Sequence, residues 1–309
     1  MSSESPTSSS HRKSVLVTGA TGYIGSRLIP RLLPQHDVRC LVRDADRLDP
    51  AVRDHVRTVT GDVLHTASLR ESLEGIDVAY YLIHGLGQGS DFEKIDRKAA
   101  EGFAKVAREA NVSRIIYLGG LGDENDPGLS PHLKSRQEVG RIFRESGVPT
   151  IELRASIVIG PGSLSYEMIR ALTHRLPVMI CPSWLATPTQ PIATEDALIY
   201  LMEALEVESQ ESDVIEIGSD DVVTYGDLIK MYAREKDLKR VLITVPLLTP
   251  YLSSLWLGLV TPNSAEVGRH LIEGLRNPTV VRNGRSRDVF AHRPMSTADA
   301  IRQAVEIEP

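Results

Sequence analysis

Cysteine is scarce in this chain. Two occur in 309 residues, Cys40 and Cys181, far apart and each among apolar neighbours. A disulfide framework is therefore excluded, and buried thiols in a reducing cytoplasm are the expectation. An excess of positive charge is also lacking: 35 Lys and Arg stand against 41 Asp and Glu, a net charge of -6. A general nucleic-acid role has no electrostatic footing on that balance. The nine histidines are scattered without ligand spacing, so no metal site is expected. No G-x-S-x-G elbow occurs, which disfavours a serine hydrolase. No internal repeat of fixed period is present.

Long apolar runs are few. The opening stretch MSSESPTSSSHRK has none, so residues 1–13 read as a disordered tail and not as a secretory signal. One uncharged stretch, residues 241–265, is long enough to span a bilayer. Pro246, Pro250 and Pro262 argue against a single helix there. It reads as a buried or interface-forming part of a lobe, with peripheral lipid contact as the alternative and no transmembrane span.

What is present is alternation. Short apolar runs at 14–19, 37–43, 56–62, 77–84, 113–120 and 150–160 read as strands. Amphipathic stretches such as 22–33, 90–110 and 131–146 lie between them and read as helices. That order implies βαβ units: an α/β, Rossmann-type, doubly wound parallel sheet with helices on both faces. The pattern predicts a dinucleotide-binding domain over 14–160, with 190–220 returning to it. Residues 161–309 mostly form a smaller C-terminal substrate lobe. Within that lobe, 164–175, 195–207 and 224–237 read as helices, and 178–182 and 213–218 as strands. A substrate pocket is expected between the two parts, outside the carboxyl ends of the strands.

The first strand runs into VLVTGATGYIG, with Gly19, Gly22 and Gly25 three residues apart. Gly19 allows a tight turn, Gly22 the close approach of a pyrophosphate, and Gly25 the packing of helix on sheet. Free N–H groups at the helix start bind the phosphates. Strand before and helix after make this spacing informative, where a lone glycine pattern is weak.

With the blocks IIYLGGLGD, LSPHLKSRQEVG, LRASIVIGPGS and TYGDLIKMYA, the motif resembles the short-chain dehydrogenase/reductase superfamily. The similarity is to its atypical, NAD(P)H-binding members related to the NmrA-like and isoflavone-reductase-like groups, and it covers about residues 14–300. The resemblance implies cofactor contacts from Gly19, Thr21, Gly22, Tyr23, Ile24 and Gly25. It places Arg43, after the second strand, on the 2′-phosphate of NADP(H). A guanidinium fits phosphate in a bidentate way, so NADP(H) is favoured over NAD(H), although Asp44 follows directly. Asp62 and Val63 would hold the adenine. Leu82, Ile83 and His84 would lie under the ribose and pyrophosphate, and Ala155, Ser156, Ile157 and Val158 would line the nicotinamide.

Active members of this superfamily use a tyrosine, a lysine four residues on, and a serine after the fifth strand. This chain has His132, Arg136 and the pair Gly119–Gly120 at those places. His132 is then the candidate acid, since a histidine titrates near neutrality. Arg136 becomes a ribose anchor that cannot pass on a proton. A polar helix start with no proton-transfer role is the competing reading of HLKSR. Ser135 occupies a place often small and polar, and Tyr117 could supply a hydroxyl unless its strand buries it.

Tyr166, Met168, Trp184 and Gln190 are candidates for the substrate wall, with core packing as the alternative. Glu195 and Asp196 read as a helix-capping pair. Two functions fit. One is an NADP(H)-dependent oxidoreductase acting on an apolar carbonyl, enone or quinone-like small molecule. The other is a non-catalytic NADP(H)-binding sensor or subunit with a regulatory protein partner.

Overall fold

Apolar runs that are covered on both faces become the strands of a parallel sheet. Seven of them do so here: β1 (Ser14–Thr18), β2 (Asp37–Val42), β3 (Arg57–Thr60), β4 (Val78–Tyr81), β5 (Arg114–Gly120), β6 (Thr150–Ala155) and β11 (Asp213–Ile217). Their order is β11-β6-β5-β4-β1-β2-β3, and every pairing is parallel. The structure is a computed structural model that describes residues 12–85, 91–244 and 274–308.

Helices cover both faces. On one, α1 (Tyr23–Leu32) and α7 (Thr194–Leu205) bury Leu28, Ile29, Leu32, Leu198 and Leu201 against β1 and β6. On the other, α3 (Thr66–Leu73), α4 (Phe92–Glu109) and α5 (Pro131–Arg144) bury Leu69, Phe103, Val139 and Phe143. Tyr81, Phe103, Tyr117 and Phe143 meet edge to face there, with ring centroids 4.8–6.1 Å apart. The single turn α2 (Pro50–Arg53) joins β2 to β3. The fold is therefore the Rossmann-type α/β arrangement expected from the alternation. The chain builds outward from β1 to β3 and then returns to β4 on the other side of β1. A crevice opens at that reversal, outside the carboxyl ends of the strands.

The lobe has its own core of Tyr166, Met179, Trp184, Leu228, Tyr232 and Ile301. Three helices supply most of it: α6 (Leu164–Arg175), α8 (Tyr225–Glu235) and α10 (Thr297–Glu306). Side chains start each of them: Ser163 and Ser296 accept from the first turn of α6 and α10, and Thr224 with Asp227 forms a capping box on α8. Three two-stranded pairs complete the lobe: β7 (Val158–Ile159) with β10 (Ile192–Ala193), β8 (Val178–Cys181) with β13 (Val241–Thr244), and β9 (Pro188–Thr189) with β12 (Val223–Thr224). Residues 194–217 lie on the large domain as α7 and β11. The short α9 (Arg285–Val289) also packs on β11, and Phe290 enters the large domain's core.

Three expectations change. The run 150–160 is two strands, because the chain leaves the sheet after Ala155. Ser156 then bonds the hydroxyls of Thr189 and Thr279 at 2.8 and 2.6 Å. Of the tail, residues 1–11 lie outside the described residues, while Arg12 is tied to Asp37 and Lys13 to Glu206. Glu195 and Asp196 cap nothing: Glu195 takes a two-pronged ion pair from Arg31 at 2.7 and 2.6 Å, and Asp196 is buried against His292 and the N–H of Met295. The uncharged stretch beyond Thr244 lies outside the described residues. Among the described residues no helix is long and apolar enough to cross a membrane.

Candidate functional site

The glycine turn is held by backbone contacts alone. Gly19 has φ +75, and a Cβ there would stand 2.6 Å from the carbonyl oxygen of Leu82. Its own carbonyl accepts from Gly22 N at 2.9 Å. A Cβ on Gly25 would stand 2.2 Å from that same carbonyl, so helix α1 touches the turn directly. Gly22 begins α1 with no side-chain cap and no acidic residue in the first turn. Among the described residues no side chain caps the first-turn N–H groups, and the dipole there is positive.

This turn sits in the middle of a groove of about 270 Å³ over the carboxyl ends of the strands. Arg43, Asp62 and Val63 line one end, above β2 and β3. Leu82, Ile83 and His84 line the other, just past β4, with Ile95, Asp96 and Ala99 of α4 beside them. Arg43 is exposed and makes no ion pair among the described residues. Asp44 is occupied locally, its carboxylate accepting from Asp46 N at 3.0 Å. Asp62 accepts from Leu64 N at 2.9 Å in the same fashion.

A second cavity, of about 300 Å³, adjoins the groove at His84, which lines both. It lies between the large domain and the lobe. Its walls are mostly apolar: Leu118, Leu121, Leu133, Ile157, Val158, Leu164, Met168 and Leu275 among them. Ala155 and Ser156 line it, as do Tyr23 and Ile24, which the turn directs to this cavity instead of the groove. The Tyr23 hydroxyl is bonded to Thr194 at 2.7 Å, and Arg27 lies over its ring.

His132 reaches the cleft from the first turn of α5, which Ser130 caps and Pro131 opens. Arg136, one turn on, also lines the cleft. Its guanidinium is nevertheless engaged with the main chain. It donates to Ile83 O at 3.0 Å and to Leu118 O, and it lies 4.9 Å from the Tyr117 ring. The expected ribose anchor is therefore a clasp between the chain after β4 and strand β5. Tyr117 is fully buried and donates to Arg136 O at 2.9 Å, so it offers no hydroxyl to the cleft, and burial pushes its phenol up to about 12.

His84 is exposed where it lines the groove. Partial desolvation, with the Arg136 charge added, lowers the pKa of its imidazole, and contact with solvent limits that lowering. Next to it, Asp96 is buried and accepts from Ser135 Oγ at 3.0 Å. Burial raises its carboxyl above the ordinary value, opposed by Ser135, Arg136 and the Gly85 N–H.

Of the four residues proposed for the substrate wall, the structure brings only Met168 to the cleft. Tyr166 is buried against Tyr232 and donates to Glu308 at 2.7 Å. Trp184 packs in the lobe core on Tyr225. Gln190 holds Ser219 O and Val281 N together, away from the cleft. An aromatic residue inside an amphipathic segment is drawn to the core by its apolar area. Sequence reasoning missed Tyr225, Leu275 and Asp96. For Asp96 a signal existed. Phe92, Asp96, Ala99, Ala100 and Phe103 share the buried stripe of α4, and an acid in such a stripe demands an explanation. Cys40 and Cys181 are both buried and free, with burial pushing their thiols up to about 12 and 11. Among the described residues no group of three or more His, Cys, Asp or Glu is arranged to hold a metal ion.

A parallel sheet reversing at β1, an uncapped helix behind a glycine turn and a groove across both define a dinucleotide-binding protein. Residues 19–163 match the NAD(P)H-binding family model. The chain is 26% identical over 143 residues to the short-chain dehydrogenase/reductase family 42E member 1 of Homo sapiens, a match covering 40% of this chain and 36% of that protein. It is 30% identical over 172 residues to the (4-alkanoyl-5-oxo-2,5-dihydrofuran-3-yl)methyl phosphate reductase of Streptomyces griseus, a match covering 53% of this chain and 57% of that protein. It is 30% identical over 171 residues to the ceramide reductase of Caulobacter vibrioides, covering 53% of this chain and 52% of that one. The matched region spans about half the length of these two reductases. The fold also matches the triphenylmethane reductase of Citrobacter sp. solved with NADP(H). There the TM-score is 0.73 at 17% identity, over 94% of this chain and 99% of that one.

Proposed function

We propose that this protein is an NADP(H)-dependent oxidoreductase of the cytoplasm that reduces an apolar carbonyl, enone or quinone-like small molecule. The observation that supports it best is the junction at His84. There the groove expected to hold the dinucleotide runs into a mostly apolar cleft between domain and lobe. A hydride donor in the groove would face a substrate in the cleft, with reacting atoms close enough for transfer. Two similar proteins are named as reductases of ceramide and of an alkanoyl compound, which supports a substrate with an apolar chain. The reading is tested by steady NADPH oxidation against a panel of such carbonyls, enones and quinones. No turnover by a chain that binds NADPH firmly would sink it.

Two substitutions probe the parts. Arg43, exposed and without an ion pair among the described residues, supports the choice of NADP(H), with Asp44 turned to its own backbone. Arg43→Ala should weaken NADPH by about 1.5–3 kcal/mol, roughly ten- to a hundredfold, and leave NADH nearly unchanged. Equal small losses for both would remove Arg43 as a phosphate ligand. His132 lines the cleft from the first turn of α5. As the proton donor to the carbonyl oxygen, it should lose about a hundredfold in kcat/KM on His132→Phe, with NADPH affinity unaltered. Turnover equal to wild type would show that water or another group supplies the proton.

A second reading is a non-catalytic NADP(H)-binding sensor with a regulatory protein partner. It is favoured by Arg136 being engaged with two main-chain carbonyls and by Gly119 and Gly120 offering no hydroxyl to an oxyanion. Partner capture that depends on NADPH, in a chain without turnover, would select this reading.

A further inference from the structure

We infer that Asp96, presented by α4 with Ser135 behind it, is the acceptor that positions the ribose on the nicotinamide side of the bound cofactor. The inference rests on the proposed nicotinamide cofactor and assigns one of its contacts. Three observations lead to it.

The first is direction. The adenosine end of the groove lies above β2 and β3, where Arg43, Asp62 and Val63 stand. The far end must lie past β4, on the other side of β1. Asp96 lines that far end, beside His84, the residue shared with the cleft. Between the central pyrophosphate turn and the cleft, a dinucleotide has one remaining part, its second ribose.

The second is the state of the carboxylate. Asp96 is 7% exposed, yet it lines the groove. A buried carboxylate without full hydrogen bonding is costly. Among the described residues its protein donors are Ser135 Oγ, at 3.0 Å on Oδ2, and the Gly85 N–H. Two carboxylate oxygens accept about four hydrogen bonds, so capacity remains for a vicinal diol. Carboxylates take up this task at the other ribose in many dinucleotide sites, because two neighbouring hydroxyls match two acceptor oxygens. Gly85 permits the arrangement, since a Cβ there would stand 2.8 Å from Asp96 Oδ1.

The third is the engagement of Arg136. Arg136, which stands where a ribose-binding lysine is expected, points its guanidinium at Ile83 O and Leu118 O. It serves the site through its charge, which lowers the cost of an ionised Asp96. Ser135 orients the carboxylate. Asp96 and Ser135 are positioning residues, with no proton passed to substrate.

The test uses the full chain and two probes, NADPH and adenosine 2′,5′-bisphosphate. The second carries the adenosine end without the second ribose. Asp96→Asn keeps the shape and removes the charge. It should weaken NADPH about tenfold or more while leaving the bisphosphate within about twofold of wild type. Ser135→Ala, which leaves the carboxylate in place, should weaken NADPH by about threefold and again spare the bisphosphate. Unchanged NADPH affinity in Asp96→Asn overturns the assignment, and so does an equal loss of both probes in the two variants, which marks a merely structural role. If Asp96→Asn does not fold, Ser135→Ala decides: no selective loss overturns the assignment. A wild-type chain that binds neither probe overturns the cofactor reading as well, so the two failures are distinguishable.

Discussion

Gly25→Ala binds NADPH at least about a hundredfold more weakly than the wild-type chain and melts at a lower temperature. The added methyl would lie 2.2 Å from Gly19 O, 2.9 Å from Gly19 C and 3.0 Å from Ala20 Cα. All three are backbone atoms, so no side-chain rotation relieves the clash. The turn cannot yield either, because Gly19 is wedged against Leu82 O at its other side. Helix α1 must therefore tilt away from the turn. That costs about 1–3 kcal/mol as overpacking. It also withdraws the N–H groups at the start of α1 from the phosphate site. Losing two charge-assisted hydrogen bonds at about 1.5–3 kcal/mol each gives the hundredfold figure or more. NADPH fluorescence titration and thermal melting check it. Affinity within about threefold of wild type would remove the glycine turn as the phosphate site.

Arg136→Ala loses roughly 2–4 kcal/mol of unfolding free energy, the second-largest effect expected. Two main-chain carbonyls, Ile83 O and Leu118 O, lose their donor, and the Tyr117 ring loses the guanidinium above it. Cleft water recovers part of the hydrogen bonding, which keeps the figure below the sum for fully buried groups. Arg136→Lys recovers less than half, because an ammonium lacks the fork that reaches both carbonyls. The deficit also depends on pH. Asp96 already has its carboxyl raised by burial, and Arg136 opposes that rise. Without Arg136 the folded-state value climbs further above the unfolded one. A carboxyl raised in this way costs stability progressively as pH increases through the interval between the two values. The variant should therefore be relatively worse at about pH 8 than at about pH 5. Urea denaturation at both values measures this, and a pH-independent loss below about 0.5 kcal/mol would show that the clasp is incidental.

The alternation of strands and helices was legible because each element signals locally. Apolar runs such as SVLVT and VAYY are covered on both faces, and the stripe of α4 repeats at the helical period. Ser130, Pro131 and Ser163 start α5 and α6 by capping chemistry that acts within a few residues. The groove half of the site was legible for the same reason. Glycines, strand and helix lie in one continuous stretch, and the ends of β2, β3 and β4 must meet it once the sheet is parallel.

The cleft half was not. Met168 reaches it and Tyr166, two positions away on α6, does not. Residues two apart on a helix point in different directions, and only the packing of α6 on α8 decides which one faces inward. Trp184 and Gln190 were misread because size and polarity do not reveal which of two surfaces a loop residue turns toward. Strand 150–160 was expected unbroken because its apolar pattern continues past Ala155. The break is made by Thr189 and Thr279, distant in sequence, holding the Ser156 hydroxyl.

Local covalent order therefore determined the sheet, its helices and the glycine turn of this protein, because turn sterics, capping and periodicity act over a few residues. The tertiary structure alone decided what HLKSR does. The sequence places His132 and Arg136 on one helix face, but only the meeting of α5 with the ends of β4 and β5 turns Arg136 to two carbonyls. Only the meeting of α4 with α5 sets Asp96 against Ser135. Those contacts join residues 18 to 53 positions apart, where hydrogen-bond geometry is fixed by packing and leaves no trace in local pattern.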